Sequence, residues 1–394
     1  MQLKSNRAGF LVNCSTAGAE PFQAFVPNPL PPAPSLELNG EHFDRLERAN
    51  RALGKLDSLS RFLPDVSLFV YWFVRKEAVL SSQIEGTQSS LSDLLLYEQK
   101  ETPGVPLADV EEVSRYVAAV NHGVKRLREG FPISLRLLRE VHEVLLQTGR
   151  GSTKQPGEFR RSQNWIGGTR PGNARFVPPP PENLMDCLGD LEKFLHDQPE
   201  KTPTLIKAAL SHVQFETIHP FLDGNGRVGR LLITLLLCAE TAVSEPTLYL
   251  SLYFKRHRDV YYELLQKVRE EGAWEEWLLF FLEGVEDVAE EAVSTATRIL
   301  EIFAADRIKI ESLGRPAGNA LRVHSLLQRK PVTSVAAATS ELSLTAPTVR
   351  SAIDNLRKIG LVRETTGKRR DRLFVYSRYL DVLQEDTGRS FSDS

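Results

Sequence analysis

The sequence predicts a mainly α-helical protein that carries one β-hairpin and ends in a small winged helix-turn-helix domain. Three observations predict this. From about Gly40 to residue 312, apolar residues recur at helical spacing in one segment after another. That pattern lapses between residues 151 and 181, where turn formers dominate and "NWIGG" and "ARFVP" flank "TRPGN", as in a hairpin. Beyond "SLGRPAGN" (312–319) the chain reads as three short helices and then two strands around a basic turn. That order is a winged helix.

The elements follow in order. Residues 1–40 are expected as an irregular arm, because "FVPNPLPPAPSL" favours extended, polyproline-like chain. "EHFDRLERANRALGKLDSL" is a charged amphipathic helix. "DVSLFVYWFVRKEAVLSSQIEGTQ" is far more apolar and is expected inside the body. "SSLSDLLLYEQ" restarts with a capping box, Ser90 and then Asp93 three residues on. Helical spacing continues through "LADVEEVSRYVAAVNHGVKRLREG" and "SLRLLREVHEVLLQTG", and Gly149 and Gly151 break it. After the hairpin, "ENLMDCLGDLEKFLHD" and "TPTLIKAALSHVQFETIH" resume it.

A chain of 394 residues suggests two or three domains. A net charge of −2 leaves no global field to recruit nucleic acid or an anionic membrane. Cys14, Cys187 and Cys238 are far apart and show neither disulfide nor metal spacing, which fits a reducing cytoplasm. The N-terminal apolar run "GFLV" is too short for a secretory signal, and "LLITLLLCA" is too short for a membrane span.

The chemistry concentrates in "HPFLDGNGRVGR", residues 219–230, directly before the apolar "LLITLLLCAE" helix. Gly224, Asn225 and Gly226 can aim successive amide N–H groups one way, and such a nest binds anions. The nest lies at a helix start, whose dipole also favours phosphate. Arg227 and Arg230, three apart, suit forked phosphate contacts. Asp223 is a hard oxygen ligand for Mg²⁺ beside the anion site. His219 can take a proton near neutral pH. Together these describe phosphoryl-group transfer from a nucleotide. His212, Glu216 and His219 share a helix face at i, i+4 and i+7, but the spacing is not that of a zinc helix, and His212 reads as a packed, hydrogen-bonded residue.

This stretch resembles the signature of the Fic (filamentation induced by cAMP) family, HxFx(D/E)GNGRxxR, at His219, Phe221, Asp223, Gly224, Asn225, Gly226, Arg227 and Arg230. "PGEFR", "NWIGG", "RFVPPPP" and "YLSLYFKRHRDVYYELL" extend the likeness over roughly residues 40–290. The resemblance implies a Fic-type helical domain that transfers AMP from ATP to a Ser, Thr or Tyr hydroxyl of a target protein. It implies His219 as the base, Asp223 as the Mg²⁺ carboxylate, Gly224–Gly226 as the cradle for the α- and β-phosphates, and Arg227 and Arg230 on the outer phosphates. The hairpin at 164–177 would be a flap that clamps the target as an added strand, and Tyr261 of the Tyr261–Tyr262 pair would cover the adenine.

The family's inhibitory signature (S/T)xxxE(G/N) is met by Ser81, Glu85 and Gly86, so the resemblance implies that Glu85 pairs with Arg230 and restrains it. The expected division is an arm with helices, including the inhibitory one, over 1–110, a Fic catalytic domain over 111–290, a helical linker over 291–318 and a winged-helix domain over 319–394. From Arg350 to Arg378 there are nine Lys/Arg against three Asp/Glu, densest in "TGKRRDR", so DNA is a candidate partner; a homodimer is a candidate assembly, and no membrane contact is expected. Two alternatives stay open on sequence: a hydrolase that removes AMP with the same site, and a nucleotide-sensing transcriptional regulator. UMP as the transferred group also stays open, although the undisturbed motif favours ATP.

Overall fold

The structure is a computed structural model, and it describes residues 3–15, 20–62, 66–99, 105–149, 151–367 and 372–388. The N-terminal arm is irregular only in part: residues 28–39 have no regular structure, but two strands precede them. β1 (Gly9–Cys14) and β2 (Phe22–Pro27) form an antiparallel hairpin, in register from Gly9↔Pro27 to Cys14↔Phe22. Its partner explains why local pattern did not show it. The Phe25 N–H donates to the Val177 carbonyl at 2.9 Å, and the Phe25 ring packs 5.9 Å from that of Phe176. The arm is thus ordered by a segment 150 residues away.

Helices α1 (Gly40–Phe62), α2 (Val66–Ile84) and α3 (Leu91–Glu98) follow, and α3 starts on the expected Ser90–Asp93 capping box. Next come α4 (Leu107–Arg128), α5 (Leu135–Leu145), α6 (Pro181–Leu195), α7 (Thr204–Ile218) and α8 (Asn225–Ala239). Residues 227–237 of α8 are buried all round, which is why that helix reads as uniformly apolar. It packs on α4, α5 and α7, with α2 against its first turns. Between α5 and α6 the expected hairpin exists in minimal form. Ile166 and Phe176 exchange backbone bonds of 2.8 and 3.1 Å, and Gly167 and Gly168, at φ +68° and +74°, turn the chain away directly afterwards.

Then come α9 (Ser251–Arg256), α10 (Arg258–Glu271) and α11 (Trp274–Glu311). α11 runs unbroken through position 290, so the expected linker is its C-terminal half. α1 lies along it, with Arg45 and Arg48 both on the Glu286 carboxylate at 2.9 and 2.7 Å.

The chain turns after α11, where "SLGRPAGN" places the boundary. α12 (Ala317–Arg329), β3 (Val332–Ser334), α13 (Val335–Leu342), α14 (Ala346–Lys358), β4 (Val362–Glu364), β5 (Leu373–Tyr376) and α15 (Ser377–Gln384) form a small helical module with a three-stranded antiparallel sheet of order β3-β5-β4. β3, of three residues, adds to the two expected strands. Lys368–Asp371 of the basic wing tip lie outside the described residues. The module is docked rather than tethered. Tyr376 Oη donates to Asp306 on α11 at 2.8 Å, and the Tyr379 ring meets Trp72 of α2 edge-on at 5.9 Å. Among the described residues no helix is long and apolar enough to cross a membrane.

Candidate active site

α7 ends on His219, whose backbone is left-handed at φ +49° while its N–H closes the last turn on the Phe215 carbonyl at 2.9 Å. A non-glycine residue there is strained and must be held by its surroundings. Two side chains that sequence reading missed hold it. Arg160 Nε donates to the His219 carbonyl at 3.0 Å, and Asn164 Nδ2 donates to the carbonyls of His219 and Phe221 at 3.3 and 3.1 Å. Arg160 also reaches the carbonyls of Ile218 at 3.3 Å and Pro179 at 2.6 Å, and its own N–H donates to Pro220. One guanidinium therefore ties the histidine turn to both bases of the flap. Burial pushes its pKa down to about 10. The signal was in "PGEFR", but nothing local says that its arginine points inward.

The loop after His219 is stapled from both sides. Asn225 Oδ1 accepts from the Phe221 N–H and its Nδ2 donates to the Phe221 carbonyl, both at 2.8 Å. Its side chain is thus spent on the loop, leaving backbone N–H groups for an anion. Gly224, at φ +78°, leads into α8. From α5, His142 Nδ1 accepts from the Gly157 N–H at 2.9 Å, so Nε2 carries the proton and donates to the Asp223 carbonyl at 3.0 Å. The His142 ring stacks on Phe221 at 3.7 Å, and burial pushes its pKa down to about 4, which keeps it neutral.

The two arginines diverge instead of sharing one direction. Arg227 turns to α4, where its Nη1 lies 2.9 Å from Glu112, and it sits 3.5 Å from Asp223. Arg230 turns to α2. Its Nε donates to Ser81 Oγ at 2.8 Å, and its Nη2 donates to the Ser81 carbonyl at 3.0 Å and to Glu85 Oε1 at 2.7 Å. Glu85 follows the last turn of α2, and Gly86 leaves it at φ +101°. Burial works against the Glu85 charge, but Arg230 overrides that and holds its pKa below the usual carboxylate range. The carboxylate lies over the cradle: a Cβ on Gly226 would run into it.

His219 itself is partly buried. Burial first, then the Arg269 and Arg160 cations, push its pKa down to about 3, so the ring is neutral and can accept a proton. His212 is a structural residue, bridging the Gly229 carbonyl at 3.0 Å and Tyr261 Oη at 2.9 Å. Among the described residues no group of three or more His, Cys, Asp or Glu is placed to hold a metal ion. Asp223 stands alone. Its Oδ1 accepts from the Gly224 N–H at 2.6 Å, and its side chain is 30% exposed at the cradle. One open carboxylate beside an anion nest fits Mg²⁺ held jointly with phosphates, and does not fit an all-protein cage.

Tyr261, which the resemblance sets over an adenine, lies inside the body. Its ring is 1% exposed, stacks on Phe254 at 4.6 Å and spends its hydroxyl on His212, so it has no open face. Tyr262 is the partly exposed member of the pair, with the Arg258 guanidinium 5.2 Å over its ring.

A profile of the Fic/DOC family N-terminal region matches residues 43–125, and one of the Fic/DOC family matches residues 132–237. The chain is 29% identical over 237 residues to "Protein adenylyltransferase Fic" of Aedes aegypti, covering 59% of this chain and 44% of that protein. It is 32% identical over 159 residues to "Protein adenylyltransferase fic-1" of Caenorhabditis elegans, covering 39% and 30%. It therefore spans less than half the length of these relatives. Among solved structures, a Fic family protein from Desulfovibrio desulfuricans G20 superposes with a TM-score of 0.56 at 19% identity, over 86% of this chain and 97% of that one. Fic-1 (residues 134–508) of C. elegans does so with 0.50 at 22%, over 66% and 74%. These two likenesses are of fold. With both family regions matched, and with the motif loop, its bracing side chains and the paired Arg230 lying between and within them, the chain belongs to the Fic/DOC family.

Proposed function

We propose that this chain is a protein adenylyltransferase, transferring AMP from ATP to a Ser, Thr or Tyr hydroxyl of a target protein, and that Glu85 restrains it. The observation that carries the reading is the Arg230–Glu85 pair of 2.7 Å, set over Gly226 of an anion nest beside a neutral His219. A carboxylate on an arginine at a phosphate cradle stands where a phosphate would stand.

In the proposed step the target hydroxyl oxygen attacks the α-phosphorus of ATP. An O–P bond forms, the bond from the α-phosphorus to the bridging oxygen breaks, and pyrophosphate leaves. His219 takes the hydroxyl proton. The amides at the start of α8 hold the phosphate oxygens, and Arg230, once free of Glu85, holds the outer phosphate. Asp223 would hold Mg²⁺, which supplies neutralisation of phosphate charge. Arg160 and Asn164 keep the histidine turn and the flap in one register, so a target strand added along residues 164–168 is placed beside the base.

Intact-mass analysis of the chain with ATP and Mg²⁺, alone and with a bacterial extract as acceptor, tests the reading. One added AMP per acceptor supports it, and hydrolysis of ATP without any adduct, or no turnover even after Glu85→Gly, opposes it. Removal of AMP by the same site is a second reading, favoured by the Glu85 charge acting on His219 across the cradle. An AMP-modified target offered without ATP separates the two. The exposed Arg350, Arg357 and Lys358 of α14 support a nucleic-acid contact by the winged helix, which a gel shift with genomic fragments tests.

A further inference from the structure

Beyond α15 the last described residues fold back onto the catalytic body and reach the inhibitory segment. Gln384 Nε2 donates to Ser92 Oγ at 2.6 Å, and the Thr387 carbonyl accepts from Gln83 Nε2 at 2.9 Å. Gln83 lies between Ser81 and Glu85, the two residues that hold Arg230. Its Oε1 accepts from Lys255 Nζ at 2.6 Å, and Lys255 also donates to the Asp386 carbonyl at 3.2 Å. The charges match. Glu385 takes both arms of Arg298 at 2.7 and 2.8 Å. Asp386 lies 2.9 Å from Arg256 and 4.0 Å from Lys76. Thr387 is fully buried and Gln384 is 4% exposed, so the segment is seated rather than laid on the surface.

We propose that the acidic segment Gln384–Gly388 is an intramolecular ligand of a basic cleft formed by Lys76, Lys255, Arg256 and Arg298, and that its seating there holds the inhibitory helix with Glu85 over the cradle. The regulatory half of this rests on the adenylyltransferase reading. The exposed Arg298–Glu385 pair contributes little by itself. The side-chain bonds of Gln83 and Gln384 matter more, because they are buried and directional, and breaking them strands polar groups. Where the release of Glu85 from Arg230 proceeds by movement of the end of α2, that movement also pulls Gln83 from Thr387. The two equilibria are therefore linked, and linkage is reciprocal: whatever unseats the segment eases the release of Glu85. The cleft selects an acidic peptide with adjacent Glu and Asp, and this chain carries its own copy.

The test uses the full-length chain with Glu385→Lys and Asp386→Lys combined, and a second variant ending at Leu383. Hydrogen exchange is followed at residues 81–86 and 384–388, and transfer of labelled AMP is measured beside wild type and Glu85→Gly. Exchange at 81–86 should quicken by about 5–150-fold, the range of ordinary coupling, and transfer should rise toward that of Glu85→Gly. A synthetic peptide of residues 384–388, the part the truncated variant lacks, should reverse both when added to it. Unchanged exchange at 81–86 in both variants overturns the proposal, as does a peptide that fails to slow it. If Glu85→Gly itself transfers no AMP, the adenylyltransferase reading fails, while the exchange data still decide whether the segment holds the helix.

Discussion

Arg230 and Glu85, 145 residues apart, meet at 2.7 Å, with the guanidinium also held by Ser81 Oγ and the Ser81 carbonyl. The arginine is 2% exposed, while a third of the glutamate side chain remains open. Glu85 is thus the accessible one of the two, and a phosphate arriving at the loop would meet it first.

Glu85→Gly should raise AMP transfer by tens to thousands of times, on the order expected when one charge of such a pair is removed. The double variant with Arg230→Ala should fall back, since the released guanidinium is then missing. Labelled AMP transfer at saturating Mg²⁺–ATP compares the three. A Glu85→Gly chain no faster than wild type reduces Glu85 to a helix-end residue.

His219→Ala should lose transfer by about 10²–10⁴-fold while nucleotide binding persists, because the role proposed for the ring is to take a proton and not to hold phosphate. Calorimetric ATP titration beside the transfer assay separates the two effects, and transfer at the wild-type rate removes His219 from its role.

Arg160→Met should lower kcat on the order of 10²-fold with little change in KM for ATP, because the His219 turn and the flap lose their common anchor. One of the cations that depress the His219 pKa goes with it, so the acidic limb of the pH–rate profile should move to higher pH. A uniform loss at every pH, or a loss carried by KM, points to misfolding instead.

A chain ending at residue 312 should melt lower than the full chain. It uncovers Trp72 on α2 and leaves the buried Asp306 without Tyr376. Each kcal/mol lost shifts the midpoint by about 2–4 °C for a body of this size. An unchanged midpoint in calorimetry shows that the C-terminal module is docked without energetic consequence.

Stability should fall as pH drops below about 6.5. His142 and His324 are held neutral with pKa values near 4, and His212 and His219 near 3, mainly by burial. The unfolded chain binds those protons at about 6.5 and the folded chain does not, so their contribution is present above that pH and lost below it. Each such group costs about 1.4 kcal/mol per pH unit within that window. Burial raises Glu77 and Glu216 to about 7, which acts oppositely: their contribution is present below about 4.5 and lost as pH rises through 7. Four histidines outweigh two carboxyls, and a midpoint higher at pH 5 than at pH 7 contradicts this account.

The sequence by itself determined the helical class, the capping box at Ser90, the turn at 312–316 and the motif loop. Each rests on local physics: periodic apolar spacing, short-range capping, and glycine freedom at Gly224. The pairing of Glu85 with Arg230 was legible too, though only through the resemblance. Tertiary structure decided the rest. The β1–β2 hairpin needed Val177 and Phe176 as neighbours. Tyr261 went inward because His212 offered its hydroxyl a buried partner. Arg227 and Arg230 parted because Glu112 stands on α4 and Glu85 at the end of α2. Arg160, Asn164 and His142 became bracing residues because their partners are backbone carbonyls up to 81 residues away. Every residue has a carbonyl, so sequence carries no mark of which ones a distant side chain will reach; the packing of helices alone selects them.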